Sequence, residues 1–234
     1  YALLGAALSA RIGKPYAEIL QERILTPLRM RATSLAPSAA VRARLIQGYD
    51  MEFAPARVWE FGALAPAGGL FSTARDLRKF LALWTEPFDT ALAQVAHDMF
   101  LVRRPGPDPQ THMALGWRVI ERNGRRLGWS NGSGGGVRSY VAVAPGAEGV
   151  VAYANMQTGI GVEDIGLRAR DPTNEVDVTP IPLRVAIAVP ATVLDRYVGV
   201  YAYAPDDIIS IARESDGLVL VSGPNRLRLY AKTQ

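Results

Sequence analysis

The sequence predicts a mixed α+β chain: helices over roughly its first hundred residues, an antiparallel sheet after them, and a small second β domain at the end. Three observations carry this. Apolar residues recur at helical spacing up to Phe100, with capping residues at the helix starts. From Leu115 the period changes to two. After an acidic, proline-containing stretch, a second set of short alternating runs begins near Tyr197.

The first helix is read over Tyr1–Ile12, with Leu3, Leu4, Ala7, Leu8 and Ile12 on one face and Gly13 as its stop. Pro15 suits the first turn of a second helix, Tyr16–Leu25, ending near Pro27, with Ile19, Leu20, Ile24 and Leu25 inward. Residues 31–68 are rich in Ala and Pro and read as a long excursion over the domain. Thr73 and Asp76 form a capping box, in which the hydroxyl takes one free N–H and the carboxylate returns to another. Leu77, Phe80, Leu81 and Trp84 then share a face. Asp89 is the expected cap of a further helix whose inner side is Leu92, Val95, Met99 and Phe100.

Gly116–Glu121, Arg138–Ala144 and Gly149–Ala154 read as successive antiparallel strands, with turns at Arg122–Gly124 and Pro145–Gly146. Ser130–Gly136, between the first two, is read as a glycine-rich loop. Residues 159–190 hold five acidic residues and several prolines and are read as a linker. Tyr197–Tyr203, Ile208–Arg213, Leu218–Val221 and Leu227–Ala231 follow as four short strands, with a tight turn at Asp216–Gly217. The expected organisation is therefore 1–158, a 159–190 linker, and 191–234. The opening at Tyr1 inside a helix, without a methionine, and the lack of a closing strand before Gln234 suggest that both ends are incomplete.

Composition narrows the function. With 49% hydrophobic and 21% charged residues the chain is globular. A net charge of +4, spread along the chain without interleaved aromatics, argues against nucleic-acid binding. The absence of cysteine removes disulfides, thiolate nucleophiles and cysteine zinc sites, and two histidines, His97 and His112, are too few for a His-rich metal site. No apolar run approaches the length of about 20 residues that spans a bilayer. His97 is read as a surface residue, His112 as a loop residue before the first strand, and Asp76 as a cap. Trp117 and Trp129 are read as core or as pocket lining.

Three stretches resemble one family. Tyr1-Ala-Leu-Leu-Gly with Ile24-Leu-Thr-Pro-Leu-Arg-Met-Arg-Ala-Thr33 is similar to a helix pair written YxLLG and IxxPLGMxxT. Ala67-Gly-Gly-Leu-Phe-Ser-Thr-Ala-Arg-Asp-Leu77 is similar to aGGLxSTAxDL. Ser130-Asn-Gly-Ser-Gly-Gly-Gly-Val-Arg-Ser-Tyr140, ending at Pro145, resembles KTGxTGGFxSYxxxxP and its HxGGTGGFxSY variants. Together they resemble the class C β-lactamase and family VIII esterase group, which shares its fold with D-alanyl-D-alanine peptidases. The tail around Leu194-Asp-Arg-Tyr-Val-Gly-Val-Tyr201 resembles the lipocalin-like β domain often appended to these proteins.

The resemblance implies an α/β transpeptidase-like fold, an antiparallel sheet flanked by helices, and acyl transfer by a serine in Ser-x-x-Lys with help from a Tyr-x-Asn tyrosine. No Ser-x-x-Lys occurs: Ser9, Ser72, Ser130, Ser133, Ser139 and Ser210 all lack a lysine three residues on. The family's Tyr-x-Asn would lie just before Tyr1. Tyr153-Ala-Asn155 has that pattern but falls at a strand end, where the tyrosine takes a hydrophobic position.

The third motif is carried over residue by residue. Ser130 stands where the family has lysine or histidine and supplies no charge, which points away from carboxylate-bearing β-lactams and towards small esters. Asn131 matches the threonine. Gly132 is the small residue that lets substrate approach. Ser133 is the position whose backbone N–H completes the oxyanion hole, a role a side-chain change leaves intact. Gly135 and Gly136 let the chain turn tightly beneath the site. Ser130, Asn131, Gly132 and Asn155 are the expected substrate-binding residues and Ser133 the expected catalytic one. No metal or organic cofactor is expected. The expected parent is a serine hydrolase of esters, β-lactams or D-amino-acid peptides, periplasmic or secreted rather than cytoplasmic. This chain alone is expected to be inactive, its partner being its own missing amino-terminal segment. The alternative is a non-catalytic binding or interaction protein with the same fold.

Overall fold

The computed structural model describes residues 1–50, 53–86, 90–122, 125–146, 149–155, 162, 186–204, 207–223 and 225–231. The chain divides into two compact units, Tyr1–Thr179 and Pro180–Gln234. The linker expected over 159–190 lies outside the described residues except for 162 and 186–190, as does Asp89.

In the first unit, α1 (Ala2–Ile12) ends on Gly13, whose φ of 74° is the left-handed conformation glycine adopts without penalty, and the Gly13 N–H returns to the Ser9 carbonyl. Its apolar stripe is not inward: Leu3 is 87% and Leu4 56% exposed, while only Gly5 is buried. The helix packs through its glycine because the Pro66 ring occupies the space beside it. A Cβ at Gly5 would lie 2.5 Å from Pro66 Cβ. The second helix begins at α2 (Tyr16–Leu20) and continues as a π turn over Gln21–Leu25, burying Ile19 and Leu25. The excursion that follows holds α3 (Ala39–Arg42), the two-residue strands β1 (Gly48–Tyr49) and β2 (Pro55–Ala56), and α4 (Ala65–Gly68).

Thr73 caps α5 (Ala74–Thr85), its Oγ1 accepting the Asp76 N–H at 3.3 Å. The other half of the expected capping box is absent. The Asp76 carboxylate turns outward from the cap and accepts from the Ala32 N–H (2.7 Å), Thr33 Oγ1 (3.0 Å) and Lys79 Nζ (2.6 Å). Asp76 thereby fastens the 29–33 turn to α5. Thr90 caps α6 (Ala91–Met99), accepting from the Ala93 N–H. Ala93 and Ala96, not Val95, face inward. Val95 is 55% exposed, because small residues let α6 approach the indole of Trp84, whose Nε1–H donates to the Ala96 carbonyl at 2.8 Å.

The sheet is an antiparallel meander of six strands in sequence order: β3 (Arg104–Pro105), β4 (Thr111–Met113), β5 (Arg118–Arg122), β6 (Arg125–Gly134), β7 (Val137–Val143) and β8 (Gly149–Ala154). Strand alternation gives each face its own core. One face sends Trp117, Val119 and Val143 against Leu81, Trp84 and Phe100. The Trp84 and Trp117 rings meet edge-on at 5.1 Å, a geometry that adds about 1 kcal/mol beyond burial. The other face gathers Leu127, Tyr140, Ala142 and Val162.

β6 corrects the sequence reading. Residues expected as a loop, Ser130–Gly134, continue the strand, and only Gly135 and Gly136 turn. Seven consecutive pairs with β7, from Gly128↔Val143 to Gly134↔Val137, hold these weak strand formers extended. His112 lies within β4 and not in a loop before the sheet.

The second unit holds α7 (Ala191–Leu194) and an antiparallel meander of β9 (Gly199–Ala204), β10 (Asp207–Glu214), β11 (Gly217–Ser222) and β12 (Asn225–Leu229). Its hairpin turns one residue earlier than expected. Glu214 pairs with Gly217, so Ser215 and Asp216 form the turn, and Ser215 takes the positive φ of 49°.

Candidate functional site

The feature that defines the site is a mismatch in strand length. β5 begins at Arg118, paired with Trp129, and β6 runs on for five residues, Ser130–Gly134. Over that stretch β6 pairs with β7 on one side, and among the described residues no strand pairs with the other side. A strand edge without a strand partner is the kind of surface on which an extended ligand can pair.

All four candidates of the third motif lie on this segment. Ser130 pairs with Val141 and shares its face with the Trp84 core, half-buried. Asn131 pairs with Tyr140 and faces the opposite way, exposed, as does Ser133. A Cβ at Gly132 would stand 2.9 Å from Ser139 Oγ, the end of a small, movable side chain. Asn155 sits just past β8, on the far side of β7 from Ser130–Ser133, and its carbonyl accepts the Tyr49 N–H at 2.9 Å. The same N–H reaches the Gly136 carbonyl at 3.0 Å. Strand order therefore groups Ser130, Asn131, Gly132 and Ser133 on one edge and sets Asn155 at the turn beside it.

That turn is roofed by the segment containing β1 and β2. Gly136 has a φ of 74°, and a Cβ there would lie 2.5 Å from the Tyr49 nitrogen. Gly135 is buried, with the Arg57 carbonyl where its Cβ would be and Trp59 Cδ1 3.1 Å from that position. Trp59 in turn lines a cavity of about 510 Å3, shared with Tyr16, Phe61, Phe71, Arg42 and Glu60.

Sequence reasoning missed Arg118. It is half-buried at the start of β5, with its guanidinium carbon 4.8 Å from the centre of the Trp129 ring and Nη1 donating to Asn131 Oδ1 at 3.0 Å. No local signal marks it, since the contact spans two strands. Trp129 stacks on Tyr140 at 5.9 Å, while Trp117 is core. Tyr153 on β8 is 49% exposed, and burial of the rest raises its phenol above the ordinary value, keeping it protonated near neutrality. His97 is exposed on α6. Among the described residues no group of acidic residues and histidines is placed to hold a metal ion, and no helix is long and apolar enough to cross a membrane.

The family model described as Beta-lactamase matches residues 1–171. The chain belongs to the β-lactamase family. Among its relatives, Penicillin-binding protein 4 of Amycolatopsis lactamdurans is 27% identical over 176 residues, 68% of this chain and 46% of that protein. The D-alanyl-D-alanine-carboxypeptidase/endopeptidase AmpH of Escherichia coli K12 is 27% identical over 61% of this chain and 40% of its own length. The class C β-lactamase from Rhodobacter sphaeroides superposes with a TM-score of 0.60 at 22% identity, over 69% of this chain and 55% of that one. The octameric penicillin-binding protein homologue of Pyrococcus abyssi superposes over 97% of this chain and 53% of that one, with a TM-score of 0.60 at 20% identity. The chain thus spans less than half the length of these curated relatives and has the β-lactamase-like mixed fold, with a separate small antiparallel sheet.

Proposed function

We propose that this β-lactamase-family chain forms one wall of the substrate groove of a serine hydrolase that works through an acyl-enzyme on small esters, β-lactams or D-amino-acid peptides. The observation that carries the proposal is the open edge of β6, where Ser130–Gly134 extends past β5. An extended substrate pairs along that edge, the Ser133 backbone N–H serves the oxyanion, and Ser130, Asn131 and Gly132 contact the substrate, while Asn155, beyond β7, supports the turn that ends the edge. Because the sequence holds no Ser-x-x-Lys, the nucleophile comes from a segment other than these 234 residues. The parent acts in the periplasm or outside the cell, and 191–234 is a lipocalin-like domain joined by 159–190.

A second reading is a binding protein that uses the same groove without a nucleophile, favoured by the same lack of Ser-x-x-Lys. A fluorophosphonate probe followed by intact mass spectrometry separates the two. An adduct on a second, co-purifying chain supports the hydrolase. An adduct on the 25.3 kDa chain itself shows that one of its own serines is activated and overturns the assignment of the nucleophile elsewhere. No adduct and no second chain supports the binding protein.

A further inference from the structure

We propose that the solvent side of α5 and the 29–33 turn beside it form a basic surface that docks the protein on a bilayer containing anionic lipid.

Four arginines make this surface. Arg29 and Arg31 stand on the turn, Arg75 and Arg78 on the helix, and all four are exposed. Hydrogen bonds bring the two pairs together across the sequence. The Ala32 N–H donates to the Asp76 carboxylate at 2.7 Å, a contact between residues 44 apart. Lys79 Nζ bridges from that carboxylate to the Arg29 carbonyl, at 2.6 Å to each. On a helix Arg75 neighbours Arg78 and Lys79, three and four residues on, so these cations share one side while Leu81 and Trp84 face the core. The turn is therefore set alongside the arginine-bearing side of α5.

The charge on this surface is uncompensated. Asp76 is the one acidic residue within α5, and Lys79 pairs with it. From Arg23 to Tyr49 the sequence holds five arginines and no acidic residue. Among the described residues no carboxylate pairs with Arg29, Arg31, Arg75 or Arg78, whereas Arg42 faces Glu60 and Arg126 holds Glu121. Charges that look dispersed along the chain are gathered by the fold.

Arg29 adds an independent sign. Its φ of 55° is a left-handed conformation that suits glycine and disfavours a side chain, and the similar pattern IxxPLGMxxT has glycine at this place. An arginine held on strained backbone, with its side chain in solvent, points to a use for that side chain.

A bilayer fits this surface better than a nucleic acid does. Residues 29–33 and 72–79 contain no aromatic side chain on which a base could stack. Leu70 is 45% exposed, next to the Ser34–Phe71 bridge that joins the same two segments. An apolar side chain beside a group of arginines suits the boundary between anionic headgroups and acyl chains.

The test sediments the full 234-residue chain with vesicles of phosphatidylcholine alone, and of phosphatidylcholine mixed equally with phosphatidylglycerol, over a series of sodium chloride concentrations. Binding is expected to the mixed vesicles alone and should fall as salt rises. Arg75→Gln with Arg78→Gln should weaken it about 25-fold, or about fivefold per charge, because a basic residue near an anionic surface contributes about 1 kcal/mol. Arg75→Lys with Arg78→Lys should retain it. Arg29→Gly should weaken it about fivefold without lowering the urea midpoint, since glycine relieves the left-handed backbone while the charge is lost. Arg226→Gln with Arg228→Gln removes the same charge from the second unit, where Glu214 and Asp216 pair with these arginines, and should leave binding within about twofold. Equal weakening by the two double variants, equal binding to both kinds of vesicle, or no binding overturns the proposal. A DNA duplex that binds more tightly than the mixed vesicles, and is lost with Arg75 and Arg78, overturns the bilayer as partner.

Discussion

The carbonyl of Arg57 occupies the space that a side chain on Gly135 would need, so the turn between β6 and β7 is closed by a backbone contact from a segment 78 residues earlier. Gly135→Ala must push the two segments apart. We expect a loss of about 1–3 kcal/mol in urea unfolding, the usual cost of overpacking. Gly134→Ala is the control. Its Cβ would meet Val137 Cγ2 at 3.7 Å, an ordinary contact, and should change the midpoint little.

The Ser133 contribution to the site is assigned to its main chain. Ser133→Ala is therefore expected to leave ligand binding within about twofold, whereas Ser133→Pro removes the N–H and should abolish it. Calorimetry with N-acetyl-D-alanyl-D-alanine, a small D-amino-acid peptide, reads the difference. Loss of binding in Ser133→Ala would return the role to the hydroxyl.

Asp76 gives the first unit a pH dependence whose sign is fixed. Burial raises its carboxyl, but the Lys79, Ala32 and Thr33 hydrogen bonds and the Lys79 charge outweigh that and hold it below the ordinary 3.8. The unfolded chain then binds the proton first. Stabilisation by Asp76 is complete above 3.8 and fades as pH falls through the folded value. Urea midpoints taken from about pH 6 downward should fall along this course, and Asp76→Asn should flatten it at a cost of about 1–3 kcal/mol at neutral pH.

Leu3 and Leu4 stand out on α1, 87% and 56% exposed. Leu3→Ser with Leu4→Ser is expected to change unfolding free energy by no more than about 0.5 kcal/mol. The same pair should reduce self-association in light scattering, because an exposed apolar stripe promotes contact between copies. A clear loss of stability would mean that the stripe is covered in solution.

Much of the fold is legible in the sequence where the signals are local. Gly13 ends α1 and Thr73 starts α5 because each cap lies within four residues of the group it satisfies. The rest depends on partners distant in sequence. The strand state of Ser130–Gly134 is imposed by β7, against a composition of serine, asparagine and glycine. Ala93 and Ala96 face inward because Trp84 is there to meet them, which no helical period reveals. The motif residues could be located by resemblance, but the Arg118–Asn131 contact depends on the register of two strands and is invisible before that register is known.

Among the described residues, five residues of β6 have no strand partner on one side, and this has a consequence for how the protein survives in a crowded solution. A bare strand edge is a template on which foreign strands assemble. Here the exposed run is Ser130-Asn-Gly-Ser-Gly134, without a β-branched or aromatic side chain to grip a passing strand and with two glycines that resist ordering. A short ligand held at both ends can dock on such an edge, whereas a long polypeptide seeking a continuous ladder finds little to hold it. The composition that hides this strand from sequence analysis is thus also its protection against polymerisation.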